Sequence, residues 1–327
     1  MRAVLVDEPG DESHLRIGEA PAPELGRGDL RLRVVASAVN RADLLQRQGL
    51  YPPPPGASPI LGLECAGEVV EVGPAVRGWR VGQRAMALLA GGGYAEQVVV
   101  PAGCALEVPE RLGLEEAAAV PEVFLTVFLN VFQLGALPEG GWVLVHGGGS
   151  GIGTAAIQLV KEAGGRIAVT AGSDEKCRRC LALGADLAVD YRSGDFAAEA
   201  RAASGDGVDV VLDHIGAPYL EANLRALAVG GRLVLIGLMG GARAEINLGA
   251  LLARRQHVIG STLRARPVAE KAALVEAFRA RFGPALASGR IHPVVDRVLP
   301  LEQVAEAHRV VKASEHFGKV VLRVARG

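Results

Sequence analysis

Apolar positions fall into two rhythms along the chain. In the first part they form short runs broken by glycine and proline. Arg31–Val39 (RLRVVASAV) and Ala66–Val72 predict strands, with Gly73-Pro74 as a breaker, and Glu96–Val100 predicts a strand ending at Pro101. The tract Tyr51-Pro-Pro-Pro-Pro-Gly56 predicts an extended loop, because proline fixes φ and offers no N–H to a ladder or helix. These signals predict an all-β, barrel-like module with an open mouth.

The rhythm changes near Glu115. Glu115–Leu134 predicts helices that Pro121 interrupts or starts. From Trp142 onward apolar strands alternate with helices. The strands are Val143–His146, Arg166–Thr170, Leu187–Val189, Val208–Asp213 and Gly231–Ile236; the helices are Gly151–Ala163, Asp174–Leu183 and Tyr219–Leu227. Continuous apolar strands alternating with helices predict a doubly wound parallel sheet covered on both faces. Val268–Ala280 predicts another helix, and Arg290–Gly327 holds one more before a β run at Lys319–Val324. A lone terminal strand needs a sheet, and the N-terminal module is its natural host. The reading is therefore α/β, with 121–264 inserted between 1–120 and 265–327 of a split first domain.

Composition narrows the class. With 327 residues, half of them hydrophobic and 22% charged, the chain suits two ordinary globular domains. A net charge of −1 gives no electrostatic reason to expect nucleic acid or an anionic membrane as partner. No run of about 18 uncharged apolar residues predicts a membrane span. The N-terminus lacks the charged and apolar regions of a signal peptide. Four cysteines are too few for a disulfide framework, so a reducing cytoplasm is expected.

The strongest motif is Val143-Leu-Val-His-Gly-Gly-Gly-Ser-Gly-Ile-Gly153, followed by a helical pattern. Strand, glycine turn and helix stand in the order a pyrophosphate requires, with bare N–H groups at a helix N-terminus. Ser150 replaces the middle glycine of G-x-G-x-x-G and can still offer a hydroxyl to phosphate. The second strand ends as Val169-Thr170-Ala171-Gly172-Ser173, without the acid that would bind the ribose hydroxyls of NAD. Ser173, Lys176 and, after the third strand, Tyr191 suit a 2′-phosphate instead, so NADPH is the expected cofactor. Asp174 and Glu175 are a counter-signal unless they point to water.

Several segments together carry a resemblance that spans nearly the whole chain. They are Asn40–Tyr51, Ile60–Gly67, Ala87–Tyr94, His146–Leu159, Gly237-Leu-Met-Gly-Gly241 and Gly318-Lys-Val-Val321. In this order they resemble the zinc-free quinone oxidoreductase branch of the medium-chain dehydrogenase/reductase superfamily. The resemblance implies a GroES-like catalytic domain, a Rossmann domain and an active site in the cleft between. Asn40 stands where zinc-dependent relatives place a cysteine ligand and Leu63 where they place histidine; neither ligates zinc usefully. The four-cysteine structural zinc lobe is also missing.

Carried over by position, Asn40, Tyr51 and Thr126 should lie near the nicotinamide or the acceptor. Ser150, Gly151 and Ile152 should bind pyrophosphate, and Ser173, Lys176 and Tyr191 the adenosine phosphate. Gly237, Met239, Leu263 and Arg264 should close over the nicotinamide half. Reduction of quinones by hydride or single-electron transfer is the implied activity, with enones, alkenals or enoyl thioesters as the alternative acceptors. A homodimer is implied, paired along a sheet edge near Val258–Leu263.

Other signals point to no chemistry. Cys177-x-x-Cys180 has no partner pair and reads as one helix face, and the seven histidines show no ligand spacing. Around Ser150 the hydrolase pattern G-x-S-x-G fails at Ile152.

Overall fold

The computed structural model describes residues 1–324, so the last three residues of the segment read as 265–327 lie outside the described residues. In the first stretch β1 (Arg2–Val6) pairs with β2 (Leu15–Glu19), and β3 (Asp29–Ala38) precedes helix α1 (Arg41–Arg47). Strands β4 (Glu64–Val72), β5 (Arg84–Leu88), β6 (Gln97–Pro101) and β7 (Ala105–Glu107) follow, then α2 (Leu114–Ala117) and α3 (Pro121–Val127). Alternation drives this module. In β3 the side chains of Leu30, Leu32, Val34 and Ala36 are buried while Arg33 faces water. Asp43 reaches back from the first turn of α1 to accept the Asn40 N–H at 2.8 Å, which starts that helix.

The wound part begins after α3, where Phe128–Leu134 widens into π-turns. It contains β8 (Trp142–Val145), α4 (Gly151–Glu162), β9 (Arg166–Ala171), α5 (Asp174–Ala182), β10 (Leu187–Asp190) and α6 (Phe196–Ser204). Then come β11 (Val208–Asp213), α7 (Leu220–Ala226), β12 (Leu227–Leu235), α8 (Leu248–Ala253) and β13 (His257–Gly260). These strands form one six-stranded parallel sheet in the order β10-β9-β8-β11-β12-β13.

The chain then returns through α9 (Val268–Ser288), β14 (Val295–Pro300), α10 (Val304–Lys312) and β15 (Lys319–Arg323). β15 pairs antiparallel with β3 and parallel with β14, inside a seven-stranded sheet ordered β14-β15-β3-β4-β5-β7, with β6 also on β3. The terminal strand thus finds its sheet among the N-terminal strands, and the α/β class with a wound sheet inserted in a split β module holds. Two compact units result: Met1–Leu125 with Leu263–Gly327, and Thr126–Thr262. Each has its own core. One gathers Leu30, Leu32, Leu61, Val304 and Leu322; the other gathers Leu144, Ala168, Val211 and Leu233.

Two of the elements named from the sequence have clearly different bounds. α9 runs past Ala280 and through Pro284 to Ser288, because Phe282, Ala285 and Leu286 continue its buried face. That burial outweighs the backbone bond proline forfeits. Strand β12 begins at Leu227, four residues earlier than its pattern suggests, since Leu227 pairs in register with Val208. No described helix is long and apolar enough to cross a membrane.

Candidate active site

In the second unit the glycine loop is shaped by what glycine lacks. Gly147 has φ +68 and would set a Cβ 2.8 Å from the His214 ring. A Cβ on Gly153 would stand 2.4 Å from the carbonyl oxygens of both Gly147 and Gly148. The first turn of α4 therefore lies directly on the loop, and any side chain at Gly153 would push them apart. Ser150 caps the helix, its hydroxyl oxygen accepting the Gly153 N–H at 3.0 Å. Gly151 and Ile152 occupy first-turn positions, whose N–H groups have no intrahelical acceptor. This bare cradle at a helix start fits a dinucleotide pyrophosphate.

The ends of β9 and β10 bring three further candidates together. Ser173 caps α5 and its hydroxyl oxygen accepts the Lys176 N–H at 3.3 Å. The Tyr191 hydroxyl lies against Gly172, where an added Cβ would come within 2.7 Å of it. Asp174 and Glu175 are both exposed and face water. A hydroxyl cluster with a lysine in a first helical turn fits a phosphate better than a ribose hydroxyl pair.

Gly237 and Met239 form the turn after β12, where the Met239 N–H donates to the His214 carbonyl at 3.0 Å and Met239 is half exposed. His214 stands between Gly147 and Gly237 at the strand ends, a place that its isolated position in the sequence did not signal. Thr126 is buried in the last turn of α3, and its carbonyl accepts from Asn130 Nδ2 at 2.7 Å.

In the first unit Tyr51 and Arg264 belong to one cluster. The Arg264 guanidinium lies 5.3 Å from the Tyr51 ring centroid. It donates to the carbonyls of Tyr51 (3.2 Å) and Ala90 (2.8 Å) and to Gln46 Oε1 (2.6 Å). Arg264, expected over the nicotinamide, thereby ties down the start of the proline loop. Leu263 beside it is buried. Burial lifts the Tyr51 hydroxyl above the usual phenol range, so it is protonated at neutral pH and able to donate.

Asn40 is almost wholly buried, and its amide is engaged on both sides. Nδ2 donates to Glu64 Oε1 at 2.9 Å and to the Ala38 carbonyl at 3.3 Å, while Oδ1 accepts from Lys319 Nζ at 2.6 Å. Lys319 also pairs with Glu64 Oε1 at 2.8 Å and donates to the Val39 carbonyl at 3.1 Å. Asp43 accepts from the N–H groups of Asn40 and Gly62 and from the Tyr94 hydroxyl, and burial raises its carboxyl to about 6. Tyr94 meets His308 at 3.4 Å, and His308 meets the fully buried Arg47, itself 3.3 Å from Glu12. Arg47 can only donate, so His308 accepts at Nδ1 and donates from Nε2 to Tyr94. Glu64, Asp43 and Lys319 were missed as site residues. Their signal was present: each is a charged residue inside one of the resembling segments, and Lys319 directly precedes the apolar run Val320–Leu322.

Among the described residues no group of three or more His, Cys, Asp and Glu is placed to hold a metal ion. Leu63 is buried and apolar.

Comparison with known proteins agrees with this layout. Residues 26–110 match the model of the alcohol dehydrogenase GroES-like domain, and residues 183–322 that of zinc-binding dehydrogenase. The chain is 31% identical over 324 residues to a component of the phenolphthiocerol/phthiocerol polyketide synthase of Mycobacterium tuberculosis. That match covers 98% of the chain but only 14% of the synthase component, so the chain spans about one seventh of that relative's length. The human synaptic vesicle membrane protein VAT-1 homolog is 32% identical over 95% of this chain and 83% of its own.

Among solved structures, an NAD-dependent alcohol dehydrogenase superposes with a TM-score of 0.86 at 35% identity, covering 99% of this chain and all of that one. Escherichia coli quinone oxidoreductase, solved with NADPH, gives a TM-score of 0.86 at 26% identity, over 99% and 100% of the two chains. The CurK enoyl reductase gives 0.86 at 26%, over 98% of each.

Proposed function

The chain belongs to the medium-chain dehydrogenase/reductase superfamily, and from that premise we propose that it reduces quinones with NADPH and without zinc. The carrying observation is the Lys319 ammonium. It sits among Val39 O, Asn40 Oδ1 and Glu64 Oε1, at the residue that takes the place of a metal ligand in zinc-dependent relatives. A divalent cation there would face a fixed positive charge at close range.

Ser150, Gly151 and Ile152 would hold the pyrophosphate of NADPH, and Ser173, Lys176 and Tyr191 its 2′-phosphate. Bound NADPH supplies the hydride. The protein's own part is to orient the acceptor, with the protonated Tyr51 hydroxyl and the Asn40 amide directed at its carbonyl oxygen; the proton that completes the reduction comes from water. The likeness to a quinone oxidoreductase supports the acceptor class. The equal likeness to an enoyl reductase supports a second reading, in which the acceptor is an enone, alkenal or enoyl thioester. Both classes share a carbonyl conjugated to the carbon that receives hydride.

Initial rates of NADPH oxidation over a panel of quinones, enones and enoyl thioesters test the proposal. Turnover highest with quinones is expected. Turnover confined to enoyl thioesters would replace the first reading by the second, and none with any acceptor would refute both.

We further propose a cytoplasmic homodimer. The four cysteines are free and buried, which suits a reducing compartment. β13 is a sheet edge with Val258 exposed, and α8 exposes Leu248 and Leu252. Light scattering at micromolar concentration should give twice the 33.9 kDa chain mass; a monomer would sink the pairing.

A further inference from the structure

Lys319 and Glu64 are charged, yet Lys319 is 4% exposed and Glu64 not at all. The three N–H bonds of the ammonium match three oxygens, at 3.1 Å from Val39 O, 2.6 Å from Asn40 Oδ1 and 2.8 Å from Glu64 Oε1. The other Glu64 oxygen accepts the Glu122 N–H at 2.9 Å. A buried ion pair is no more stabilising than well-packed apolar residues of the same volume. What this pair does, and an apolar pair could not, is give direction to the amide lying between its two charges.

Asn40 turns its oxygen to the ammonium and its NH₂ group to the carboxylate. The flipped amide would set NH₂ against ammonium and oxygen against carboxylate, so only one orientation is allowed. One Nδ2 hydrogen is then fixed on Glu64. The other makes only a long 3.3 Å bond to the Ala38 carbonyl, so it is the hydrogen left to offer an acceptor oxygen. Charges at both ends of the amide also polarise that N–H and strengthen it as a donor.

We propose that Lys319 and Glu64 are positioning residues for the reduction, holding the Asn40 amide in the one orientation that offers an N–H to the acceptor. The proposal rests on the reading that Asn40 faces the acceptor.

The test uses the full chain with Lys319→Ala. NADPH affinity is followed by fluorescence, and kcat and KM are measured with a quinone, with and without propylammonium chloride and with sodium chloride as control. Asparagine-selective ¹⁵N labelling adds a readout independent of turnover, since the chain has only Asn40, Asn130, Asn223 and Asn247. The Asn40 NH₂ signals are assigned by their loss in Asn40→Asp.

Loss of a charge-assisted contact predicts a kcat drop of roughly ten- to a hundredfold, with NADPH affinity changed less than about twofold. Propylammonium should restore part of the turnover, and the Asn40 signals should shift in Lys319→Ala and return with the amine. Wild-type kcat with unmoved Asn40 signals would overturn the proposal, as would a loss of turnover that tracks NADPH affinity and ignores the amine. Should Lys319→Ala fail to fold, the near-isosteric Glu64→Gln carries the same test, and unchanged turnover and Asn40 signals there would overturn it equally. If the wild type reduces no acceptor at all, the functional reading falls, while the Asn40 signals still decide whether Lys319 sets the amide.

Discussion

The two units build their candidate sites from different materials. In the second unit the site is mainly backbone, the stretch from His146 to Thr154 and the turn from Ala171 to Lys176, each contiguous in sequence, with the side chains of Ser173, Lys176 and Tyr191 at one end. In the first it is side chains drawn from α1, β4, α10 and β15, with Asn40 and Lys319 separated by 279 positions. Their buried polar groups differ as well. Around His146 the second unit holds a mainly neutral chain, in which the imidazole meets Thr170 at 3.1 Å and Asn223 at 2.7 Å, and Asn223 donates to Asp213. The first unit buries Lys319, Glu64, Asp43 and Arg47. A backbone site needs room and the right φ angles, whereas a side-chain site needs charges that balance once water is gone.

The contrast is tested most severely at Gly153. Gly153→Ala puts a Cβ 2.4 Å from two backbone carbonyl oxygens that cannot move alone. Overpacking of this kind costs about 1–3 kcal/mol, and the displaced loop should lower NADPH affinity by at least about tenfold. Calorimetry and a fluorescence titration check both, and an unchanged Tm with native affinity would show the loop to be tolerant. In the same unit, Lys176→Ala should raise KM for NADPH by roughly 10- to 100-fold, the worth of a charge-assisted contact of about 1.5–3 kcal/mol. KM for NADH should barely move. A wild type that uses the two cofactors equally would remove the basis of this expectation.

Acid should affect a buried neutral histidine in each unit. Burial lowers both His146 and His308 to about 3, against an ordinary 6.5. The unfolded chain then takes up protons below 6.5 that the folded chain refuses. Each histidine therefore contributes stability that is fully present above pH 6.5 and is lost as pH falls toward 3. Between pH 7.5 and 5.5 His308→Gln should lose less urea stability than the wild type, by about 1 kcal/mol. Parallel losses in the two proteins would mean that His308 takes up its proton in the folded state.

The smallest expected effect lies in the first unit at Tyr51. Tyr51→Phe keeps the ring under Arg264 and removes only a neutral hydrogen bond of about 0.5–1.5 kcal/mol, so kcat with quinones should fall several-fold at unchanged Tm and NADPH affinity. Wild-type turnover over a quinone series would make Tyr51 scaffold.

What could be read in the sequence follows the same division. The wound sheet was legible because each strand is a continuous apolar run; Val208–Asp213 is a strand to the residue. The glycine loop was legible because a helix start, its cap and its missing side chains are neighbours in the chain. For Arg264 the sequence offers position alone; the fold adds that its guanidinium binds Tyr51, Gln46 and Ala90, partners that no local pattern announces. The short strand β5 and helices α6 and α8 carried too little periodic signal to be named.

The sequence by itself determined the α/β class, the insertion of one domain in another and a helix start shaped for a dinucleotide, since all three depend on local period, local φ and the order of elements. Only the tertiary structure decided that Lys319 meets Asn40 and Glu64, that Asp43 accepts three donors and that His308 is held neutral. Those facts depend on which distant charges lose their water together, and no local pattern encodes desolvation.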